Sequence, residues 1–125
     1  ESGLVRESRT NTPLQALALL NETGFVEASR KLAERVMLEA KLPRDRLRAA
    51  FRRCVGRSAS DKELSLLERS LETRMKEFRG NPAAAKKLLA IGESPADPKL
   101  DPVELAAYAV ICGMMLNLDE TVTKE

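Results

Sequence analysis

From Val103 to Leu118 the chain is apolar almost all the way round a helical circumference, and that stretch constrains the fold more than any other. A helix with no polar face has to be surrounded by other elements. Its small residues Ala106, Ala107, Ala109 and Gly113 allow neighbours to approach closely, so this helix is expected at the centre of a bundle. Asp101, Pro102 and Glu104 supply its start: a side-chain cap, a residue that needs no N–H, and an acid in the first turn. The longest apolar run, Leu105 to Leu116, is too short to span a bilayer, which leaves protein as its surroundings.

The rest of the chain supplies those surroundings. Phe25, Ala28, Ser29, Leu32 and Val36 recur at three- and four-residue intervals, predicting a helix to about Ala40. Pro43 ends that segment and opens the next. There Leu47, Ala50, Phe51, Cys54 and Val55 form a stripe that Gly56 is expected to terminate in the left-handed conformation. Ser60 and Glu63 make a capping box ahead of Leu64, Leu67, Leu71, Met75 and Phe78, a longer helix stopped by Gly80. Asn81 and Pro82 start a short helix to Ile91, ended by Gly92. The prolines at 95 and 98 make 92–101 an irregular loop. No segment has the alternation of a strand. The fold class is therefore all-α, a compact bundle of about six helices.

The remaining helix signal lies near the start. Thr12 can cap, Pro13 occupies the first helical position, and Gln15 can complete a capping box. Leu14, Leu17, Ala18 and Leu20 then share a stripe, before Asn21, Glu22, Thr23 and Gly24 interrupt the pattern and predict a break or tight bend. Residues 1–11 read as an extended N-terminal segment. Four stretches together, Arg9-Thr-Asn-Thr-Pro-Leu-Gln-Ala-Leu, Val55-Gly-Arg, Ile91-Gly-Glu-Ser-Pro and Leu116-Asn-Leu-Asp-Glu-Thr-Val-Thr-Lys-Glu, occur in an order that resembles a known family. They are similar to the C-terminal part of the planctomycete-type domain of unknown function that closes cytochrome-c-like (PSCyt-associated) surface proteins. The resemblance implies a periplasmic or cell-envelope setting and a larger exported parent. It brings no established reaction and no catalytic residue. Because the chain opens inside such a motif rather than at a methionine, residues 1–125 read as a single helical domain or as the C-terminal subdomain of a larger one.

The polar residues give no clear chemistry. The chain has no His, which removes the commonest general base and imidazole metal ligand. Cys54 and Cys112 lie on apolar helical faces and read as small core residues, with a disulfide as the alternative if the parent is exported. Without a Cys-x-x-Cys-His motif, no haem is attached here by that route. Met37, Met75, Met114 and Met115 read as core filler. Glu93, Asp97 and Asp101 gather around the proline loop, where paired acids could do glycosidase work; the competing reading is a solvated connector with Asp101 occupied as a cap. No catalytic residue, cofactor or metal ligand is assigned.

Net charge is +2, from 21 basic and 19 acidic residues, so the surface is balanced rather than strongly polyanion-binding. Arg44, Arg48 and Arg52 do share one face by four-residue spacing, giving an anion or partner surface suited to an anionic polysaccharide. A solvated face paired with the acidic helix that follows explains the same residues. The outline helix, Gly56, turn, capped helix also fits a helix-turn-helix reader. Its would-be recognition helix carries Asp61, Glu63, Glu68, Glu72 and Glu77, which repel DNA, and an aromatic content of 3% offers few stacking platforms. Asn117, Asp119 and Glu120 can cap the exit of the last helix, as Thr12, Gln15 and Asn21 can at the other end.

The expected role is a non-catalytic structural or interaction module whose apolar faces dock onto an upstream part of the same protein or form a homodimer, with no nucleic acid and no membrane insertion. The alternative is an accessory part of an enzyme of redox-linked polysaccharide degradation.

Overall fold

The computed structural model describes residues 22–118, and among them the architecture is all-helical, with five helices and no strand. They are α1 (Glu22–Glu39), α2 (Pro43–Val55), α3 (Asp61–Gly80), α4 (Pro82–Leu89) and α5 (Pro102–Leu116). The first predicted helix, from Pro13, lies outside the described residues.

Start signals work as their chemistry dictates. Ser60 Oγ accepts from the Glu63 N–H at 3.1 Å, and Glu63 returns a bond to the Ser60 N–H at 2.8 Å, completing the capping box of α3. Arg57 clamps the same carboxylate through both its oxygens, and these donors hold Glu63 at a pKa of about 2. Asp101 accepts from the Glu104 N–H at 2.9 Å to open α5, and Pro43, Pro82 and Pro102 all sit in a first turn, where the missing N–H costs nothing. Gly56 terminates α2 at φ 87°, a left-handed conformation that glycine adopts without a Cβ penalty.

Several boundaries differ from the sequence expectation. Glu22, Thr23 and Gly24 form the first turn of α1 rather than a break, because a helix's first N–H groups have no intrahelical partner and the turn tolerates weak helix formers. Gly80 is the last residue of α3 and not left-handed; the break falls at Asn81, which follows α3 and caps α4 by accepting from the Ala84 N–H at 3.2 Å. The short α4 ends at Leu89 instead of Ile91: the Ala90 N–H is shared between the carbonyls of Lys86 and Lys87, and that of Ile91 turns to the tighter bond with Leu88.

Packing converges on α5, where Leu105 through Ala109, Ile111, Cys112 and Met115 are all buried and the helix contacts each of the other four. Against it α1 places Ala33, Val36 and Met37, α2 places Leu47, Ala50 and Phe51, α3 places Leu64 and Leu71, and α4 places Ala85 and Leu89. Each large apolar side chain buried in this way contributes about 2 kcal/mol. On α1, Ser29 and Val36 of the predicted stripe are buried, but the buried face also takes in Arg30, Ala33 and Met37, and Ala28 is exposed.

Candidate functional site

The least expected residue in the interior is Arg30, whose 1% exposure makes it one of the largest fully buried side chains among those described. Burying a guanidinium is tolerable only if its charge and donors are matched. Helical spacing supplies the charge, since Glu27 and Glu34 stand three positions before it and four after, at 3.6 and 2.8 Å. The loop between α4 and α5 supplies further acceptors for the two terminal nitrogens, while the buried Nε has no hydrogen-bond partner among the described residues. Arg30 Nη2 donates to the Ser94 carbonyl at 2.8 Å and to Ser94 Oγ at 2.9 Å, while Nη1 reaches the Pro95 carbonyl at 3.2 Å.

The two carboxylates complete the tie. Glu27 Oε2 accepts from both the Ser94 N–H, at 2.8 Å, and the Ser94 hydroxyl. Glu34 Oε2 accepts from the Asp97 N–H at 2.8 Å. The Ser94 hydroxyl and amide hold the Glu27 carboxyl down at a pKa of about 2, from an ordinary 4.5. Gly92 makes the approach possible: at φ 107° its backbone lies so close to α1 that a Cβ there would sit 2.7 Å from Glu27 Cδ. The Ile91-Gly-Glu-Ser-Pro stretch is thus a latch fastening an irregular loop to α1. Sequence reasoning missed Arg30, Glu27 and Glu34; the available signal was an arginine on the apolar stripe of α1 with acids on either side at helical spacing.

Fastened in this way, the loop lines a concave cleft of about 530 Å³ with Lys86, Leu89 and Leu105. The three acids proposed from sequence are not equivalent there. Asp101 is the cap of α5, Asp97 turns Oδ1 to the Lys99 N–H at 2.9 Å, and Glu93 is exposed. Among the described residues no group of three or more His, Cys, Asp or Glu side chains is arranged to hold a metal ion.

The arginine face of α2 is largely engaged by neighbouring acids. Arg44 donates to Glu68 and, at 3.2 Å, to Asp61 on α3, and Arg48 pairs with Asp45 at 2.8 Å. Arg52 reaches Ser58 Oγ, at 3.5 Å. A further arginine, Arg46, closes the α1–α2 corner: Nε donates to the Ala40 carbonyl at 2.7 Å and Nη2 to that of Met37 at 3.3 Å. Its guanidinium also lies over the Tyr108 ring, 5.4 Å from the centroid.

Cys54 and Cys112 are free thiols; burial raises both pKa values, that of Cys112 to about 12. Of the four methionines, Met37 and Met115 are buried and Met75 packs at the core's edge, whereas Met114 is 44% exposed and so is not core filler. It lines an apolar groove of about 330 Å³ between the start of α1 and the end of α5, with Phe25, Val26, Leu88 and Val110 among its walls. Ser29 and Gly113 form its floor, a Cβ at Gly113 falling 3.1 Å from Ser29 Oγ. Leu116 and Leu118 are exposed just beyond. Asn117 follows α5, its N–H donating to the Gly113 carbonyl at 3.1 Å. Thr12, Pro13, Gln15, Asn21, Asp119 and Glu120 lie outside the described residues.

The family model described as PSD1, protein of unknown function (DUF1553), matches residues 1–71. It spans the Arg9 to Leu17 and Val55 to Arg57 stretches, and the Ile91 to Pro95 latch lies beyond its end. No curated protein and no solved structure matches the chain.

Proposed function

The chain belongs to the PSD1 (DUF1553) family of proteins of unknown function, and from that premise we propose that it is a non-catalytic structural and interaction module. In this reading the apolar end of α5 is covered by an earlier part of the same polypeptide, and α5 is the central member of a bundle of about six helices. The observation that carries it is the α1–α5 groove together with exposed Met114, Leu116 and Leu118, a mainly apolar end of α5 interrupted by Asn117. The polar residues support the same view: Glu27, Glu34, Asp97 and Asp101 are spent on backbone N–H groups, which is structural work. The resemblance carried by the four sequence stretches adds the setting, an exported or cell-envelope protein with a cytochrome-c-like module upstream.

Light scattering on the purified chain, alone and with an added polypeptide of the upstream region, tests this reading. The expected result is a one-to-one complex that Met114→Asp with Leu118→Asp abolishes, without loss of helical circular dichroism. A chain that ignores the added region, with or without those substitutions, overturns it.

A further inference from the structure

We propose that the outer face of α3 binds an anionic polysaccharide whose acid groups are held one by one by Lys62, Arg69 and Lys76. This surface is separate from the apolar end of α5 and does not depend on what docks there.

Along its own sequence α3 is electrically neutral, with acids and bases in equal number. Tertiary pairing divides them unevenly. Arg44 takes Asp61 and Glu68, Arg57 takes Glu63, and Arg74 takes Glu77 at 2.8 Å. Glu72 is the one acid of α3 left without an ion pair among the described residues, whereas Lys62, Arg69 and Lys76 are all exposed and their side chains have no ion pair or hydrogen bond among those residues. The pairing that neutralises the arginine face of α2 thus uncovers a basic row on α3. Seven-residue spacing keeps that row straight: each cation is turned only about 20° from the one before and stands about 10 Å further along the axis. Between the cations lie Leu66, 52% exposed, and Thr73, also exposed.

The spacing and the flanks select the partner. Double-stranded DNA carries a negative charge about every 1.7 Å of its axis, so most phosphates laid along this row would fall between the cations, with Glu72 beside them. An aromatic content of 3% gives single strands few platforms on which to stack. A protein partner wants an apolar centre to its interface, and Leu66 is the one large hydrophobic side chain that α3 exposes among the described residues. A polysaccharide with an acid group on every second sugar meets both conditions. It is a thin chain, and two sugar rings are about as long as two turns of helix, so its charges fall at the cations and its rings at Leu66 and the Thr73 hydroxyl.

Surface plasmon resonance of the full chain tests this on κ-carrageenan, which has a sulfate on every second sugar, and on hyaluronate, which has a carboxylate at the same interval. Saturable binding to at least one of them is expected, and the polymer preferred tells whether sulfate or carboxylate is the group held. Lys62→Gln, Arg69→Gln and Lys76→Gln together should weaken that binding about tenfold. Arg35→Gln, Arg48→Gln and Arg52→Gln remove the same charge from α1 and α2 while leaving Arg44 on Asp61 and Glu68, and should change it less than about twofold. Because the three α3 side chains are exposed, their loss should leave helical circular dichroism unchanged. Equal weakening by the two triple variants overturns the proposal, since net charge alone would then account for binding. Absence of binding to both polymers overturns it too, as does tighter binding to duplex DNA that the α3 substitutions abolish, which would make the row a nucleic-acid surface.

Discussion

At Gly92 two independent constraints meet: a φ of 107° that L side chains rarely adopt, and Glu27 standing where a Cβ would project. Gly92→Ala should therefore cost about 2 kcal/mol of unfolding free energy, read by urea denaturation. The same substitution at Gly80, whose φ is not positive and which has nothing within 4 Å of a built Cβ, should cost nothing or slightly stabilise. Glu27 sets a pH dependence whose sign follows from its depressed pKa. The stabilisation is fully present above the ordinary value of 4.5 and is lost as pH falls toward about 2. The melting-temperature gap between the native chain and Glu27→Gln should be constant from pH 7 to 5 and shrink between pH 4 and 2. A gap that widens on acidification would contradict the assignment.

Among the elements, α2 and α3 form a hairpin in which opposite charges face each other. Arg44 contacts Glu68 and Asp61, and α3 begins with Asp61 and Glu63, so the basic face has its counter-charge built in. Exposed pairs of this kind contribute about 0.5 kcal/mol each. Replacing Arg44, Arg48 and Arg52 together with Ala should lower stability only slightly and change retention on an immobilised sulfated polysaccharide little. A large loss of retention would restore the anion-surface reading. The hairpin's start and stop signals were legible because they are local: the Ser60–Glu63 box and Gly56 act within a few residues of themselves. On α1, Ser29 and Val36 are buried as the stripe predicts, but Arg30 was not foreseen inside because apolar periodicity alone gives an arginine no place there. Arg30 is buried only because the 94–97 backbone, some 65 residues away, supplies carbonyls and N–H groups.

For the molecule as a whole, Arg30 is the bolt between α1 and the loop leading into α5. Removing one member of a buried, hydrogen-bonded charge cluster typically costs about 3–5 kcal/mol. Arg30→Met keeps the bulk of the side chain and removes the bonds. Hydrogen exchange should then show the amides of Ser94 and Asp97, now held by Glu27 and Glu34, losing protection before those of α2 and α3; uniform loss across all helices would mean that the loop is not a separately fastened unit. Sequence by itself determined the helical class, the caps of α3, α4 and α5, the left-handed stop at Gly56 and the apolar character of α5, because each depends on residues within a turn or two of one another. Only the tertiary structure decided which carboxylates serve the loop, why Gly92 has no side chain and where Met114 lies. Those outcomes depend on groups far apart in the chain, brought together by the burial of α5.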